Sequence, residues 1–363
     1  MEMYIKRDTL NLIRHLISIF DMSTERKQDP NSTLWDPDNT TFPLRSELPA
    51  LAGAPKDAAW VWGPNDNLGR LNLVTPSRIV SAATEIKSGE SCRVDLPLSI
   101  PVKPSFGRET FKHDIKVIEG GVGHDDLYTL NTQSGTQWDG FRHISHAPSK
   151  LFYNNTRASD ITGSDANDKC GIHHWAQRGI AGRGVLLDFV SYAEKHDIKY
   201  DSASSYAISF EDLVSCGQFQ GLDIRPAAQG GDIQVGDILF IRSGFVRDYF
   251  SRTEEENIQI GSRQDHIWAG VKQEQEMIDW LHNCYFAAVA GDAPAFERWP
   301  SPESYKLHEY LLALWGVPIG EMLALEGVSV LAKKHQRWTF FFTTAPANCP
   351  GGVGSHVNGT AIF

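Results

Sequence analysis

The densest group of side chains that could carry out chemistry lies between residues 133 and 146. Residues 133–143 read Gln-Ser-Gly-Thr-Gln-Trp-Asp-Gly-Phe-Arg-His, and His146 follows closely. If this segment is extended, its two-residue period places Gln133, Gln137, Asp139 and His143 on one side, where they could line a pocket. The spacing fits equally well a polar loop in which the aspartate and the histidine only satisfy each other's hydrogen bonds.

Segment 133–143 resembles the signature H-x-G-T-H-x-D-x-P-x-H of the cyclase-like hydrolases, a family that includes bacterial kynurenine formamidase and isatin hydrolase. The matching positions are Gly135, Thr136, Asp139 and His143. Gln133 and Gln137 stand where the family has two histidine ligands, and Phe141 stands where it has proline. The match is therefore partial at the positions that bind metal.

Further segments extend this resemblance from about residue 60 to the C-terminus. They are residues 62–73, 236–244, 291–294, 307–312 and 316–321. The first resembles the family's entry segment, and the second resembles its strand leading into the site. The last two are similar to the segment that carries the second metal. The long N-terminal arm and the sequence Leu-Leu-Ala-Leu-Trp-Gly at 311–316 resemble the larger, fungal-type members.

The resemblance implies a hydrolase that opens an amide, formamide or lactam bond with a metal-activated water. In the family, one metal is held by the two signature histidines and the aspartate. A second metal shares the aspartate and adds a histidine and a glutamate from the later segment. Carried over to this sequence, Asp139, His308 and Glu321 remain, and His143 matches the histidine that moves protons.

The two glutamines leave the metal content open. An amide oxygen is a neutral, weak ligand, so the first metal position should be badly weakened. Either one divalent ion, Zn or Mn, remains on Asp139, His308 and Glu321, or the site works without metal through acid and base groups alone. The loss of both imidazole donors favours the second alternative, since two glutamine amides would suit a substrate carbonyl better than a cation.

We expect an enzyme that acts on a carbonyl of the amide, lactam or lactone type in a small cyclic or acylated aromatic metabolite, most simply by hydrolysis. The expected catalytic residues are His143, Asp139, Glu321 and His308. The expected substrate-binding residues are Gln133, Gln137, Trp138 and Phe141. One alternative is a metal-free acid/base cyclase, dehydratase or isomerase of secondary metabolism. Another is a non-catalytic relative that binds a small molecule, although four retained titratable groups speak against it.

Short hydrophobic runs and helical spacings predict the elements that would position these residues. Strands are predicted over 92–98, 126–131, 184–189, 237–242, 285–290 and 338–343. Helices are predicted from Pro76 to Gly89, from Ser209 onward, over 273–282 and over 305–314. The fold class is therefore α/β. The resemblance implies a mixed β-sheet flanked by helices, of the swivelling β/β/α type.

The sequence predicts one catalytic domain, residues 57–363, preceded by an N-terminal helix and an extended arm over residues 1–56. The helix is predicted within residues 1–20, which lack the continuous apolar run of a signal peptide or membrane span. The arm is polar and aperiodic from about residue 23 and would lie on the surface or on a neighbouring subunit. The resemblance implies a homodimer or homotetramer.

The net charge and the cysteine content bear on which partners and which compartment the protein has. The 363 residues include 34 Lys and Arg against 45 Asp and Glu, a net charge of −11, which argues against nucleic acid or an anionic membrane as partner. The resemblance implies a small-molecule substrate. Five cysteines without a C-x-x-C pair suggest neither a disulfide framework nor a zinc knuckle, and we expect a cytoplasmic protein.

Overall fold

The computed structural model describes residues 34–363, which contain thirteen β-strands. In chain order they are β1 (Ser91–Arg93), β2 (Lys112–Ile118), β3 (Gly123–Thr129), β4 (Gln137–Asp139), β5 (Ile180–Leu187), β6 (Ala207–Ile208), β7 (Ile238–Ile241), β8 (Gly270–Val271), β9 (Ala288–Gly291), β10 (Ile319–Glu321), β11 (Thr339–Thr344), β12 (Gly354–His356) and β13 (Gly359–Ile362). Nine of them form one large sheet, and the other four form two small sheets, β2 with β3 and β6 with β8.

The large sheet is mixed, with the strand order β1-β13-β11-β5-β7-β9-β10-β4-β12. Its centre, from β5 through β7 and β9 to β10, is parallel, and the strands on both sides pair antiparallel. The parallel strands β7 and β9 consist of the buried sequences Ile-Leu-Phe-Ile and Ala-Val-Ala-Gly. Continuous apolar strands of this kind are typical of a sheet covered by helices on both faces. The predicted mixed sheet is confirmed.

Helices connect these strands and cover the sheet. They are α1 (Pro76–Ala83), α2 (Ala158–Ile161), α3 (His173–Arg178), α4 (Phe189–Lys195), α5 (Phe210–Gln220), α6 (Phe245–Ser251), α7 (Glu254–Gly261), α8 (Gln275–Asn283) and α9 (Glu326–His335). A wide, π-type helix spans Glu309–Trp315. Short 3₁₀ turns occupy Arg45–Glu47, Gly69–Leu73, Glu119–Gly121, Tyr153–Asn155 and Ala227–Gln229. None of the helices within residues 34–363 has the length and apolar character needed to span a membrane.

The predicted start of α5 is confirmed in detail. The hydroxyl of Ser209 accepts a hydrogen bond from the backbone N–H of Asp212, and the carboxylate of Asp212 accepts one from the N–H of Ser209. This reciprocal pair satisfies amide groups that would otherwise lack partners at the helix start. The helix ends at Gly221, which adopts the left-handed conformation with φ 75°.

Two predicted helices differ from the structure. Helix α1 ends at Ala83 rather than near Gly89. After Ala83 the backbone amides donate to carbonyl oxygens three residues earlier, as Glu85 does to Ala82, instead of four residues earlier as in an α-helix. The predicted helix over 305–314 begins two residues later than expected, because Leu307 and His308 are α-helical and lead into the wide helix at Glu309. The backbone amides of Leu307 and His308 donate to the carboxylate of Glu297. That interaction caps the start of the helix, where the first amides have no partner within it.

The predicted strands all exist, with shifted ends. The largest difference is at 92–98, where only Ser91–Arg93 pairs as a strand with β13. From residue 94 onward the chain turns into the loop that precedes the β2–β3 hairpin.

The described part of the predicted arm packs on the chain's own core. The rings of Trp35 and Phe42 contact Trp62 and Tyr285, and Arg45 forms ion pairs with two aspartates. The predicted helix within residues 1–20 lies outside the described residues. The domain boundary at 56/57 stays a prediction.

Candidate active site

Two neighbouring strands carry three of the predicted site residues. Strand β4 pairs antiparallel with β10, so that Gln137 lies opposite Glu321 and Asp139 lies opposite Ile319. Residues opposite one another in such a pair share a face, as do alternate residues of one strand. Gln137, Asp139 and Glu321 therefore project from the same side of the sheet, and all three are buried.

His308 reaches this group from the segment just before the wide helix. Its Nε2 atom lies 3.1 Å from Oε1 of Glu321 and 3.5 Å from Oδ2 of Asp139. One ligand atom from each of these three residues can be chosen so that all lie within 4.8 Å of one another. The three residues on which the resemblance places one metal ion, Asp139, His308 and Glu321, do meet in one buried site.

Glu297 holds the other side of His308. Its carboxylate lies 2.7 Å from Nδ1 of the imidazole and also accepts the backbone amides of Leu307 and His308. The side-chain amide of Gln273 donates a further hydrogen bond of 2.6 Å to it. Sequence reasoning missed Glu297 because no fixed spacing relates it to His308. The only signal was its place shortly after segment 291–294.

The buried charges of the site depend strongly on one another. Burial alone would lower the pKa of His308, but its contacts with Asp139, Glu297 and Glu321 raise it well above the ordinary range. Burial raises the pKa of Glu321, and the negative charge of Asp139 adds to this effect. Although burial opposes ionisation of Asp139, the neighbouring His143 and His308 lower its pKa. The site thus combines an imidazolium with carboxylates of unequal acidity.

The two glutamines lie where the signature comparison places them, but they present N–H groups. Nε2 of Gln137 lies 2.8 Å from Oε2 of Glu321, 3.4 Å from Oδ1 of Asp139 and 3.1 Å from Oε1 of Gln133. The two carboxylates require this orientation, because an amide oxygen in its place would face two carboxylate oxygens. Nε2 of Gln133 has no hydrogen-bond partner among the described residues.

The donor set fits one divalent cation. Oδ2 of Asp139 is buried without a hydrogen-bond partner in residues 34–363, and it faces Nε2 of His308. The contact from Nδ1 of His308 to Glu297 is the carboxylate contact that usually orients a metal-binding histidine. Three buried carboxylates, those of Asp139, Glu297 and Glu321, lie within 3.5 Å of the ring nitrogens of His308, and a divalent cation would take the place of the proton on Nε2. The position defined by the two glutamines does not fit a second ion, since the N–H groups of Gln137 fill it.

His143 lies at the outer side of this group. Its Nε2 atom is 3.8 Å from Oδ2 of Asp139, and 20% of its side chain is exposed while the aspartate is fully buried. The predicted grouping of Gln133, Gln137, Asp139 and His143 is present. Only Gln137–Asp139 is extended, however. The chain turns before and after it, with hydrogen bonds from Ser134 to Asn131 and from His143 to Gly140.

Trp138 and Phe141, which were predicted to contact substrate, lie in the main hydrophobic core instead. Trp138 alternates with its neighbours on β4, so its ring points to the other side of the sheet and its indole N–H donates to Thr344. The ring of Phe141 packs between Tyr153 and Trp175. The sequence could not show this, because large aromatic residues occur both in cores and around substrates.

A small pocket adjoins the site on the side of Gln133. It is lined by polar and apolar groups together, among them Arg108, Gln133, Phe245, Asn257 and Met322. The guanidinium of Arg108 donates to the backbone oxygen of Gln133. Its positive charge contributes to lowering the pKa of Asp139, after the larger effects of burial and the two histidines. No sequence motif had indicated Arg108 or Asn257.

Comparison with known proteins identifies the family of this chain. The sequence profile of the Cyclase family matches residues 94–298, more than half of the chain. The chain belongs to the Cyclase family. The matched range contains Gln133, Asp139, His143 and Glu297, whereas His308 and Glu321 lie beyond it. The resemblance to cyclase-like hydrolases is confirmed at the level of the family, which identifies the chain as an enzyme.

Solved structures show the same fold. A crystal structure described as a novel cyclase is 27% identical to this member of the Cyclase family. The alignment covers 84% of this chain and 99% of the other, with a TM-score of 0.72. Isatin hydrolase A from Ralstonia solanacearum is 16% identical, with coverage of 80% and 98% and a TM-score of 0.52. An isatin hydrolase bound to the product analogue thioisatinate is 13% identical, with coverage of 79% and 95% and a TM-score of 0.50. No curated protein matches the sequence.

Proposed function

We propose that this enzyme hydrolyses a carbonyl bond of the amide, lactam or lactone type in a small cyclic or acylated aromatic metabolite. It would use one divalent cation, Zn²⁺ or Mn²⁺, held by Asp139, His308 and Glu321. The observation that carries the proposal is the buried arrangement of these three donors around the unpartnered Oδ2 atom of Asp139, with Glu297 orienting the histidine.

The structure shifts the balance between the two alternatives that the sequence left open. The loss of two histidines had favoured a metal-free site. Yet the remaining ligands are buried and close together, and Glu297 contacts His308 in the way that usually orients a metal-binding histidine. The chemistry that a divalent cation supplies when bound is polarisation of a carbonyl and acidification of water.

His143 is proposed to move the protons of the reaction. It is the imidazole that reaches the outer side of the site while it stays next to Asp139. This position lets an imidazole exchange protons with a substrate bound at the outer side of the site. His308 is less suited to this role, because both of its nitrogens already face carboxylates.

Gln133 is proposed to orient the substrate carbonyl. Its Nε2 group is buried without a partner in the described chain and borders the small pocket beside Arg108. A donor fixed in a dry site stabilises negative charge that develops on a carbonyl oxygen during attack by water. Phe245 and Met322 line the same pocket and provide apolar contact for an aromatic ring.

A substrate panel tests the proposal. Protein loaded with Zn²⁺ or Mn²⁺ would be incubated with aromatic lactams, N-formyl arylamines and aromatic lactones, and the products analysed by liquid chromatography and mass spectrometry. We expect the gain of one water in at least one class, abolished in Asp139→Asn. Loss of water, or rearrangement without a mass change, would instead support a dehydratase or isomerase. The absence of turnover with every class would contradict the proposal.

One observation favours the metal-free acid/base alternative. The imidazolium of His308 and the amide of Gln137 together already contact both carboxylates of the site. If the enzyme works without metal, the protonated His308 would supply the positive charge of the site, and activity would survive treatment with a chelator.

Exchange of Glu297 for Gln is expected to weaken the binding of Zn²⁺ or Mn²⁺ by about 10- to 100-fold. The neutral amide is a poorer acceptor for the Nδ1 hydrogen of His308, and its NH₂ group would face the donors that the carboxylate now binds. Isothermal titration calorimetry measures the affinity, and the exposed Glu303→Gln provides the control. Equal affinity of the two variants would show that Glu297 does not orient a metal ligand.

A further inference from the structure

The β2–β3 hairpin stands apart from the large sheet. Its two strands pair only with each other, and no third strand among residues 34–363 covers either edge. All residues of β2 are exposed, and Ile115 and Val117 are 66% and 64% exposed. Val122 near the turn is 84% exposed, and Leu127 and Tyr128 are exposed as well. Open backbone edges and exposed apolar side chains are typical of a surface that pairs with another chain.

The pairing register assigns the side chains of β2 to two faces. Ile115 lies opposite Asp126, and Val117 lies opposite His124, so these residues share one face of the ribbon. Asp114 and Lys116 project from the other face. Neither forms an ion pair within the described chain, although Lys116 lies opposite Asp125 in β3.

We propose that β2 pairs antiparallel with β2 of a second copy of this chain, about a twofold axis through Ile115. In this register Ile115 lies opposite the partner's Ile115. Asp114 lies opposite the partner's Lys116, and the symmetry repeats this pair. Opposite charges in facing positions stabilise an antiparallel pair, and like charges destabilise it. The edge of β2 is therefore complementary to itself.

Charge disfavours the neighbouring registers of β2. A twofold axis through Asp114 would place two aspartates opposite each other, and an axis through Lys116 would do the same with two lysines. An axis between Asp114 and Ile115 gives no pair of opposite charges. The register centred on Ile115 is the one that combines two Asp–Lys pairs with an Ile–Ile contact.

The outer edge of β3 is unsuited to the same pairing. Its centre carries two adjacent acidic residues, Asp125 and Asp126. An axis through either residue, or between them, places aspartate opposite aspartate. Pairings centred on these residues are repulsive, whereas the pairing centred on Ile115 of β2 is attractive.

The resulting dimer would have a four-stranded sheet with the strand order β3-β2-β2-β3. An isolated two-stranded hairpin is marginally stable in water, whereas three or more strands with an apolar face are stable. Ile115 and Val117 from both copies would lie side by side on one face of this sheet. This inference does not depend on the proposed activity.

Sedimentation equilibrium of the full chain and its charge variants tests the pairing. The wild type should be a dimer. Asp114→Lys and Lys116→Asp should each raise the dimer dissociation constant at least about tenfold, because each places like charges opposite one another. An equimolar mixture of the two variants restores both opposite-charge pairs and should form heterodimers. The double variant Asp114→Lys with Lys116→Asp should form homodimers again.

Lys116→Asp also places an aspartate opposite Asp125 within its own hairpin. The mixture and the double variant carry the same change, so dimers that form in them show that the single variant is weakened by its pairing with the second chain and not by damage to the hairpin. The proposal is overturned by a monomeric wild type, by a dimer that neither single change weakens, or by a mixture and double variant that stay monomeric. Circular dichroism confirms that each variant is folded, as expected for changes at exposed positions.

Cysteine cross-linking tests the position of the twofold axis. Directly opposed residues of an antiparallel pair have Cα atoms about 4.5 to 5.5 Å apart, within the range of a disulfide. In a Cys349→Ser background, which removes the exposed native thiol, Ile115→Cys should therefore link two chains on mild oxidation. Val117→Cys, equally exposed on the same face, should link poorly because it lies opposite the partner's His113. Equal linking of the two variants would contradict this register.

Discussion

Replacing His143 by Asn is expected to lower kcat by about 10²- to 10⁴-fold without loss of folding or bound metal. The amide keeps much of the hydrogen-bonding shape of imidazole next to Asp139, but it cannot transfer protons near neutral pH. Steady-state kinetics on the substrate found in the panel measures the effect. His146→Asn is the matched control, since this histidine contacts Ser149 and lies outside the site.

Glu321→Gln separates the proton-transfer role from the metal-binding role. Burial and the charge of Asp139 raise the pKa of Glu321, which makes it the rival candidate for general acid or base. We expect this variant to lose bound metal together with activity. The assignment of His143 fails if its variant keeps near-parental turnover with an unchanged pH profile, while Glu321→Gln loses activity and retains its metal.

The double variant Gln133→His with Gln137→His is expected to raise the metal content from one to two Zn²⁺ or Mn²⁺ ions per chain. It supplies two imidazole donors next to Asp139 and removes the N–H groups that now face Asp139 and Glu321. Titration calorimetry and elemental analysis measure the affinity and the stoichiometry.

The pair Gln229→His with Gln234→His adds the same number of imidazoles at exposed positions outside the site and serves as control. If the site variant binds no more metal than this control, the two glutamines do not occupy ligand positions. The surrounding groups would then also be unable to support a second ion.

The sequence predicted the residues of the site better than their surroundings. Asp139, His143, His308 and Glu321 were found because their types and order follow a known motif, and the structure brings them together. The partner of His308 was not found. Glu297 is 11 residues away in sequence, and only the folded loop brings its carboxylate to the imidazole.

Local conformation limited the other predictions. Apolar residues at helical spacing indicated a helix over 305–314, but the helical segment starts two residues later, at Leu307, where the carboxylate of Glu297 caps the first amides. Trp138 and Phe141 were predicted to bind substrate, but both side chains are buried in the main core, where large aromatic residues are equally common. The chain must turn at Gly140, where a Cβ atom would lie 2.3 Å from the oxygen of Val353.

The order of strands in the large sheet also lay beyond the sequence. Strand β4 is held between β10 and β12, which follow it by well over 150 residues. Pairing over such distances leaves no local signal in composition or periodicity. Yet this pairing places Glu321 opposite Gln137 and thereby forms the site.

The metal content of the purified protein, measured with its hydrolytic activity through a cycle of chelation and metal return, tests whether Asp139, His308 and Glu321 hold a catalytic ion. We expect one Zn²⁺ or Mn²⁺ ion per chain in the wild type and none in Glu321→Gln. The chelator should remove the ion and the activity together, and the returned ion should restore both. Metal-free protein that retains the parental turnover would contradict a catalytic role for this ion.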